Sequence, residues 1–191
     1  TNNKKIKNSL FILAGGMGSR LKPLTNKTPK PMLKLNGKPI LEHIIISAKN
    51  FGINEIIISV NYLSDQIISY FKDGSEFGVS IKYIKEKKPM GTAGSISLIS
   101  KVPKDPIIVI NGDIISDIDF KKMLKYHDTN NSFATMAVRV FESKEIFGFV
   151  KTNGTEITGF DEKPIKRTYI NSGIYILDPQ TVKILKKIKL L

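Results

Sequence analysis

Leu10-Phe11-Ile12-Leu13-Ala14-Gly15-Gly16-Met17-Gly18-Ser19-Arg20-Leu21-Lys22-Pro23-Leu24-Thr25 is the stretch on which the fold turns. Leu10–Ala14 is apolar throughout and reads as a buried strand. Gly15, Gly16 and Gly18 then let the backbone approach a ligand and turn its N–H groups outward, which suits an anion. Arg20 and Lys30 are cations on the same segment, and Pro23, Pro29 and Pro31 stiffen the chain between and beside them. A strand, a glycine loop and two cations together suit a polyphosphate. Two other phosphate loops do not fit. The dinucleotide fingerprint needs a third glycine where Leu21 stands and a helix where Pro23 intervenes; the triphosphatase loop needs Gly-Lys-Ser/Thr.

Outward from this segment, apolar strands alternate with helical patterns, which predicts parallel βαβ units. The expected helices are Pro39–Phe51, Leu63–Phe71 closed by Gly74, one capped by Thr92 and reaching Ser100, Asp119–His127, and Pro179–Ile188. The expected strands after the first are Glu55–Val60, Val79–Ile84, Pro106–Ile110, Phe133–Val140, Phe147–Thr152, Glu156–Phe160 and Ile174–Leu177. The motifs follow strands, at the carboxyl ends where open α/β sheets bind ligands. Asp113, after a buried strand and a glycine, could hold Mg²⁺; by position alone it is equally a turn aspartate or a helix cap. Asp117 and Asp119 read as helix-start residues. His43 and His127 lie in no motif and read as structural, and Tyr62 and Tyr83 read as packing residues.

Composition narrows the classes. The 191 residues suffice for one domain with a core, and the lack of cysteine excludes disulfides and thiolate metal sites. No apolar run is long enough to span a membrane, so a cytoplasmic setting without membrane contact is expected. The net charge of +13 raises nucleic acid as a partner, but only three of the 30 basic residues are arginines (Arg20, Arg139 and Arg167). The lysines are scattered, with Lys85, Lys87 and Lys88 the one group near a motif. This reads as a solvated basic surface that attracts anionic substrates, with no nucleic acid as partner.

The glycine segment with Thr28-Pro29-Lys30-Pro31-Met32 resembles the sugar-1-phosphate nucleotidylyltransferases, or NDP-sugar pyrophosphorylases. The resemblance continues through Gly91-Thr92-Ala93-Gly94, Gly112-Asp113, Phe147-Gly148, Glu162-Lys163-Pro164 and Asn171-Ser172-Gly173, nearly the whole chain. In pattern it is nearest to the GDP-mannose pyrophosphorylase-like guanylyltransferases. It implies a three-layer α/β/α sandwich with a mixed, mostly parallel sheet, residues 1–191 forming a catalytic domain. The implied reaction joins an NTP and a sugar 1-phosphate to give NDP-sugar and pyrophosphate. A catalytically silent nucleotide- or sugar-binding regulatory domain of the same fold is the alternative, and a homo-oligomer is compatible with either.

By the same resemblance, Arg20, Lys30 and Lys163 are catalytic, and Leu13, Gly15, Gly16, Gly18, Glu86, Gly91 and Thr92 line the nucleotide. Gly148, Glu162 and Asn171 meet the sugar, and Asp113 holds Mg²⁺. Relatives carry a further segment with a second acidic metal ligand. The chain, opening on Thr1, is therefore expected to be a domain cut at its ends or a variant lacking that segment. Relatives that use uridine or thymidine nucleotides typically have glutamine where Glu86 stands. An ionised glutamate can only accept hydrogen bonds, and guanine offers adjacent N1–H and 2-amino donors, so GTP is the expected nucleotide.

Overall fold

The computed structural model describes residues 5–188, and they divide into two compact units, one of residues up to 136 with 173 onward, the other of 137–172. Along the chain lie β1 (Leu10–Ala14), the short strands β2 (Lys34–Leu35) and β3 (Lys38–Pro39), α1 (Ile40–Asn50), β4 (Glu55–Val60) and α2 (Ser64–Phe71). There follow β5 (Ser80–Lys85), α3 (Gly91–Ser97), β6 (Ile107–Asn111), α4 (Phe120–Thr129), β7 (Ala134–Lys144), β8 (Phe149–Asn153), β9 (Glu156–Asp161), β10 (Ile165–Leu177) and α5 (Pro179–Lys187).

The six-stranded sheet has the order β5-β4-β1-β6-β10-β7. Strands β5, β4, β1 and β6 are mutually parallel, and β10 runs antiparallel to β6. The sheet is thus mixed and mostly parallel, flanked by helices. The central strands β1 and β6 are apolar on both faces, as a sheet covered on both sides requires, whereas the edge strand β5 carries exposed Ser80, Lys82 and Lys85. On one face, Phe11 and Val109 pack with Ile96, Ile99 and Val182 from the α3 and α5 regions. Their strand neighbours Leu10, Ile12, Ile108 and Ile110 alternate to the other face and are as fully buried. There Ile110 shares a small cavity with Ile44 of α1 and Phe120 of α4. Each such side chain contributes roughly 1.5–3 kcal/mol when fully buried.

The four parallel strands end on one edge. Gly15 follows β1, Asn61 follows β4, Glu86 follows β5, and Gly112-Asp113 follows β6. Gly112 donates its N–H to the Leu13 carbonyl at 2.8 Å, and a Cβ on it would lie 2.9 Å from that same oxygen. Only glycine lets the two chain segments meet this closely.

Several element boundaries differ from expectation. Pro39 ends β3 and precedes α1, so it is not in the helix. Leu63, with φ 50, stands before α2. The helix expected from Thr92 to Ser100 is α3, which starts at Gly91 and ends at Ser97; Thr92 sits inside its first turn and caps nothing. Asp119 does cap α4, accepting from the N–H groups of Lys121 and Lys122 at 2.9 and 3.0 Å. The second unit holds the largest departure. β10 begins at Ile165, far ahead of the expected Ile174, because its first seven residues are exposed and show no apolar alternation. There β8 and β9 pair antiparallel.

Candidate active site

Ten of the expected site residues line one cavity of about 390 Å³ in the first unit: Leu13, Gly15, Gly16, Gly18, Arg20, Lys30, Glu86, Gly91, Thr92 and Asp113. They come from four separate stretches of sequence, joined by the common edge of β1, β5 and β6. Ser19, Met90, Ser95 and Asn111 also line it.

The glycine loop is held from behind. Gly18 has φ +61, and the chain then makes a single 3-10 turn over Ser19–Leu21 before Pro23. Thr25, wholly buried, donates its hydroxyl to the Gly18 carbonyl at 2.9 Å. The Tyr62 hydroxyl lies 3.2 and 2.9 Å from the carbonyls of Thr25 and Asn26. Tyr62, expected only to pack, therefore tethers the far end of the loop. Arg20 is exposed at the cavity, and Lys30 opens a second 3-10 turn with Pro31 as its second residue. The Lys30 ammonium pairs with the Asp113 carboxylate, joining the loop after β1 to the end of β6. Asp113 is thus neither the cap of α4, which is Asp119, nor an idle turn residue.

Glu86 reaches into the same cavity. Ser59 of β4 and Ser95 of α3 donate to its Oε1 at 2.6 and 2.8 Å, and the Met90 N–H donates to its Oε2 at 3.2 Å. A Cβ on Gly15 would lie 2.8 Å from that Oε1, so Gly15 leaves room for the carboxylate. Ser59 and Ser95 were not among the expected site residues. Ser59 is a small polar residue in the otherwise apolar run Ile56–Val60, the one sign of it in the sequence.

Near the end of β5, Tyr83 packs as expected, but its hydroxyl is buried without a hydrogen-bond partner. Burial, with a smaller contribution from the Asp73 charge, pushes this phenol up to about 12. His127 is buried and hydrogen-bonds Thr135 at 2.8 Å, and His43 meets the Leu35 carbonyl at 2.8 Å, both structural as expected.

The remaining expected residues belong to the second unit. Gly148 and Glu162 are neighbours there: a Cβ on Gly148 would lie 2.9 Å from Glu162 Oε2. Lys163, with φ +46, places its ammonium 3.7 Å from Glu162 Oε1, and Asn171 is exposed on β10. Glu162 and Lys163 form an exposed turn between β9 and β10.

Among the described residues no three His, Cys, Asp or Glu side chains gather as a protein-only metal cage. Asp113 alone suits Mg²⁺, which commonly takes one or two carboxylates and completes its shell with substrate phosphates and water.

A mostly parallel sheet with a glycine loop at its carboxyl edge defines an open α/β domain with its cavity where such sheets bind ligands. Residues 10–191 match the family model described as Nucleotidyl transferase, and the chain belongs to that family. The mannose-1-phosphate guanyltransferase of Yarrowia lipolytica is 36% identical over 183 residues, 92% of this chain and 50% of that protein. A Bacillus anthracis structure with sucrose, provisionally assigned as a glucose-1-phosphate thymidylyltransferase, superposes with TM-score 0.76 at 30% identity, covering 95% of this chain and 75% of that one. HddC from Yersinia pseudotuberculosis, complexed with GMP-PN, gives TM-score 0.72 at 29% identity over 95% of this chain and 80% of that one. The chain spans about half the length of the curated relatives it matches.

Proposed function

We propose that residues 1–191 form a catalytic domain that transfers the guanylyl group of GTP to a sugar 1-phosphate, giving an NDP-sugar and pyrophosphate. The observation that carries this reading is the single cavity on which the glycine loop, Arg20, Lys30, Asp113 and Glu86 converge. A phosphate oxygen of the sugar phosphate supplies the electron pair that forms the new bond to the α-phosphorus. The bond from that phosphorus to the oxygen bridging to the β-phosphate breaks, and pyrophosphate departs with the pair. The nucleophile is already an anion, so no general base is required, in keeping with structural roles for both histidines. Catalysis then consists of positioning and charge neutralisation.

Each side chain has a part in this. Loop N–H groups and Arg20 neutralise the triphosphate and the departing pyrophosphate, and Lys30 joins them once substrate draws it from Asp113. Asp113 would hold Mg²⁺, which when bound would supply positive charge to the substrate phosphates. Glu86 accepts from the base edge. Lys163 steadies the attacking phosphate, and Gly148, Glu162 and Asn171 contact the sugar. Support for the guanine preference comes from Glu86 in the cavity and from the guanyltransferase relatives.

A matrix of NTPs against sugar 1-phosphates, read by pyrophosphate release, tests the reading. GTP with a hexose 1-phosphate is expected to give the largest signal; nucleotide binding without pyrophosphate in any combination would favour the silent regulatory alternative. Omitting divalent ions is expected to abolish turnover, and Asp113→Asn to weaken Mg²⁺-dependent GTP binding while Mg²⁺-free binding holds. Full turnover in excess chelator would remove the metal from the scheme.

A further inference from the structure

We propose that Ser59 and Ser95 are positioning residues for base selection, holding the Glu86 carboxylate so that one oxygen stays available to the nucleobase. The proposal rests on the reading of the cavity as a nucleotide site and deepens it.

Glu86 is fixed before its side chain begins. Its N–H donates to the Val60 carbonyl at 2.9 Å, and its own carbonyl accepts from Asn61 Nδ2 at 2.9 Å. The side chain is fixed at its far end as well, by hydroxyls from two different elements. Ser59 and Ser95 are 0% and 1% exposed, so neither hydroxyl has solvent as a competing partner. Both donate to Oε1, at 2.6 and 2.8 Å. The Ser95 hydroxyl also lies 2.8 Å from the Gly91 carbonyl, so its single proton is shared between two acceptors, whereas Ser59 makes the shorter bond to the carboxylate.

The two carboxylate oxygens are therefore unequal. Oε1 carries two hydroxyl donors, while Oε2 carries one longer bond, 3.2 Å from the Met90 N–H. A carboxylate oxygen can take about two donors. Acceptor capacity for a ligand thus remains on Oε2, in a side chain that lines the cavity. An acceptor in this position favours a purine edge that offers donors, as guanine does with N1–H and its 2-amino group. It disfavours adenine, whose N1 presents a lone pair to the carboxylate. Without the serine anchors the carboxylate keeps only the 3.2 Å bond from the Met90 N–H, and ordering it on binding costs affinity for the base that needs it.

The test measures GTP and ATP affinity calorimetrically on the full chain, since both ligands share the purine, ribose and triphosphate. Wild type is expected to prefer GTP. Ser59→Ala and Ser95→Ala should each narrow the GTP:ATP ratio about fivefold to tenfold, by weakening GTP while ATP is unchanged. Ser59→Thr keeps a hydroxyl and should keep the ratio. In a Glu86→Ala background neither serine change should alter the ratio further, an outcome that a purely structural role would not give. Thermal melts report folding, and Ser95→Ala provides a second element should Ser59→Ala unfold. If Glu86→Ala collapses the ratio while both serine variants keep it, the positioning role is overturned and base reading by Glu86 survives. If Glu86→Ala leaves the ratio intact, or wild type binds neither nucleotide, the underlying reading fails and the positioning role with it.

Discussion

Removing the Arg20 guanidinium takes a cation from the cavity and nothing from the core, since Arg20 is exposed and packs into no cluster. Arg20→Ala is therefore expected to lower turnover by about 10²–10³, the usual loss for one preorganised charge contact, with the melting temperature nearly unchanged. Wild-type turnover in that variant would end the role. Tyr83 offers the opposite case, a residue whose polar atom destabilises the fold. Its hydroxyl is buried without a partner, and Tyr83→Phe removes that burden, so the variant should gain about 1 kcal/mol in denaturant melts at neutral pH. The sign with pH follows from the raised phenol, at about 12 against an ordinary 10. Folded Tyr83 holds its proton more tightly than the unfolded chain does. Its contribution is complete below pH 10 and is lost as pH rises through 12. Tyr83→Phe should flatten that alkaline decline; a variant that declines as steeply as wild type would place the cause elsewhere.

Helices and strands with a buried face were legible before the structure. Glu55–Val60 was placed to the residue, and Asp119 was identified as a helix-start residue, because apolar period and capping chemistry are local signals. Asp119→Ala removes an acceptor from two N–H groups of the first turn of α4 and is expected to cost about 1 kcal/mol, read by chemical denaturation. Exposed elements were read unevenly: β8 and β9 were expected as strands although both are almost wholly exposed, whereas the start of β10 was missed. The first half of β10 is exposed, so although it holds β-favouring Ile165, Thr168, Tyr169 and Ile170, it lacks the apolar alternation that marks a half-buried strand. Thr92 fell to competition within one motif: its hydroxyl could have capped a helix, but α3 starts one residue earlier, at Gly91.

At the scale of the molecule, the glycine loop, Lys30, Asp113 and Glu86 were singled out from the sequence, by motif and by family resemblance, and the fold brings them to one cavity. The two serines were not singled out, since their meaning lies in what faces them across β4, the end of β5 and α3. The charge of the whole chain was legible too, and it carries a test of its own. A net charge of +13 makes a positive field around the chain. Such a field speeds the encounter with a tetra-anionic nucleotide and is screened over about 10 Å at 0.1 M salt. Raising salt from about 0.05 to 0.3 M should therefore slow GTP association several-fold in stopped-flow measurements. Guanosine, which has the same base and no phosphate, should associate at a rate that salt leaves unchanged. If GTP association proves equally insensitive, the lysines serve solubility alone, and the affinity for triphosphate comes from the glycine loop, Arg20 and Lys30 at contact distance.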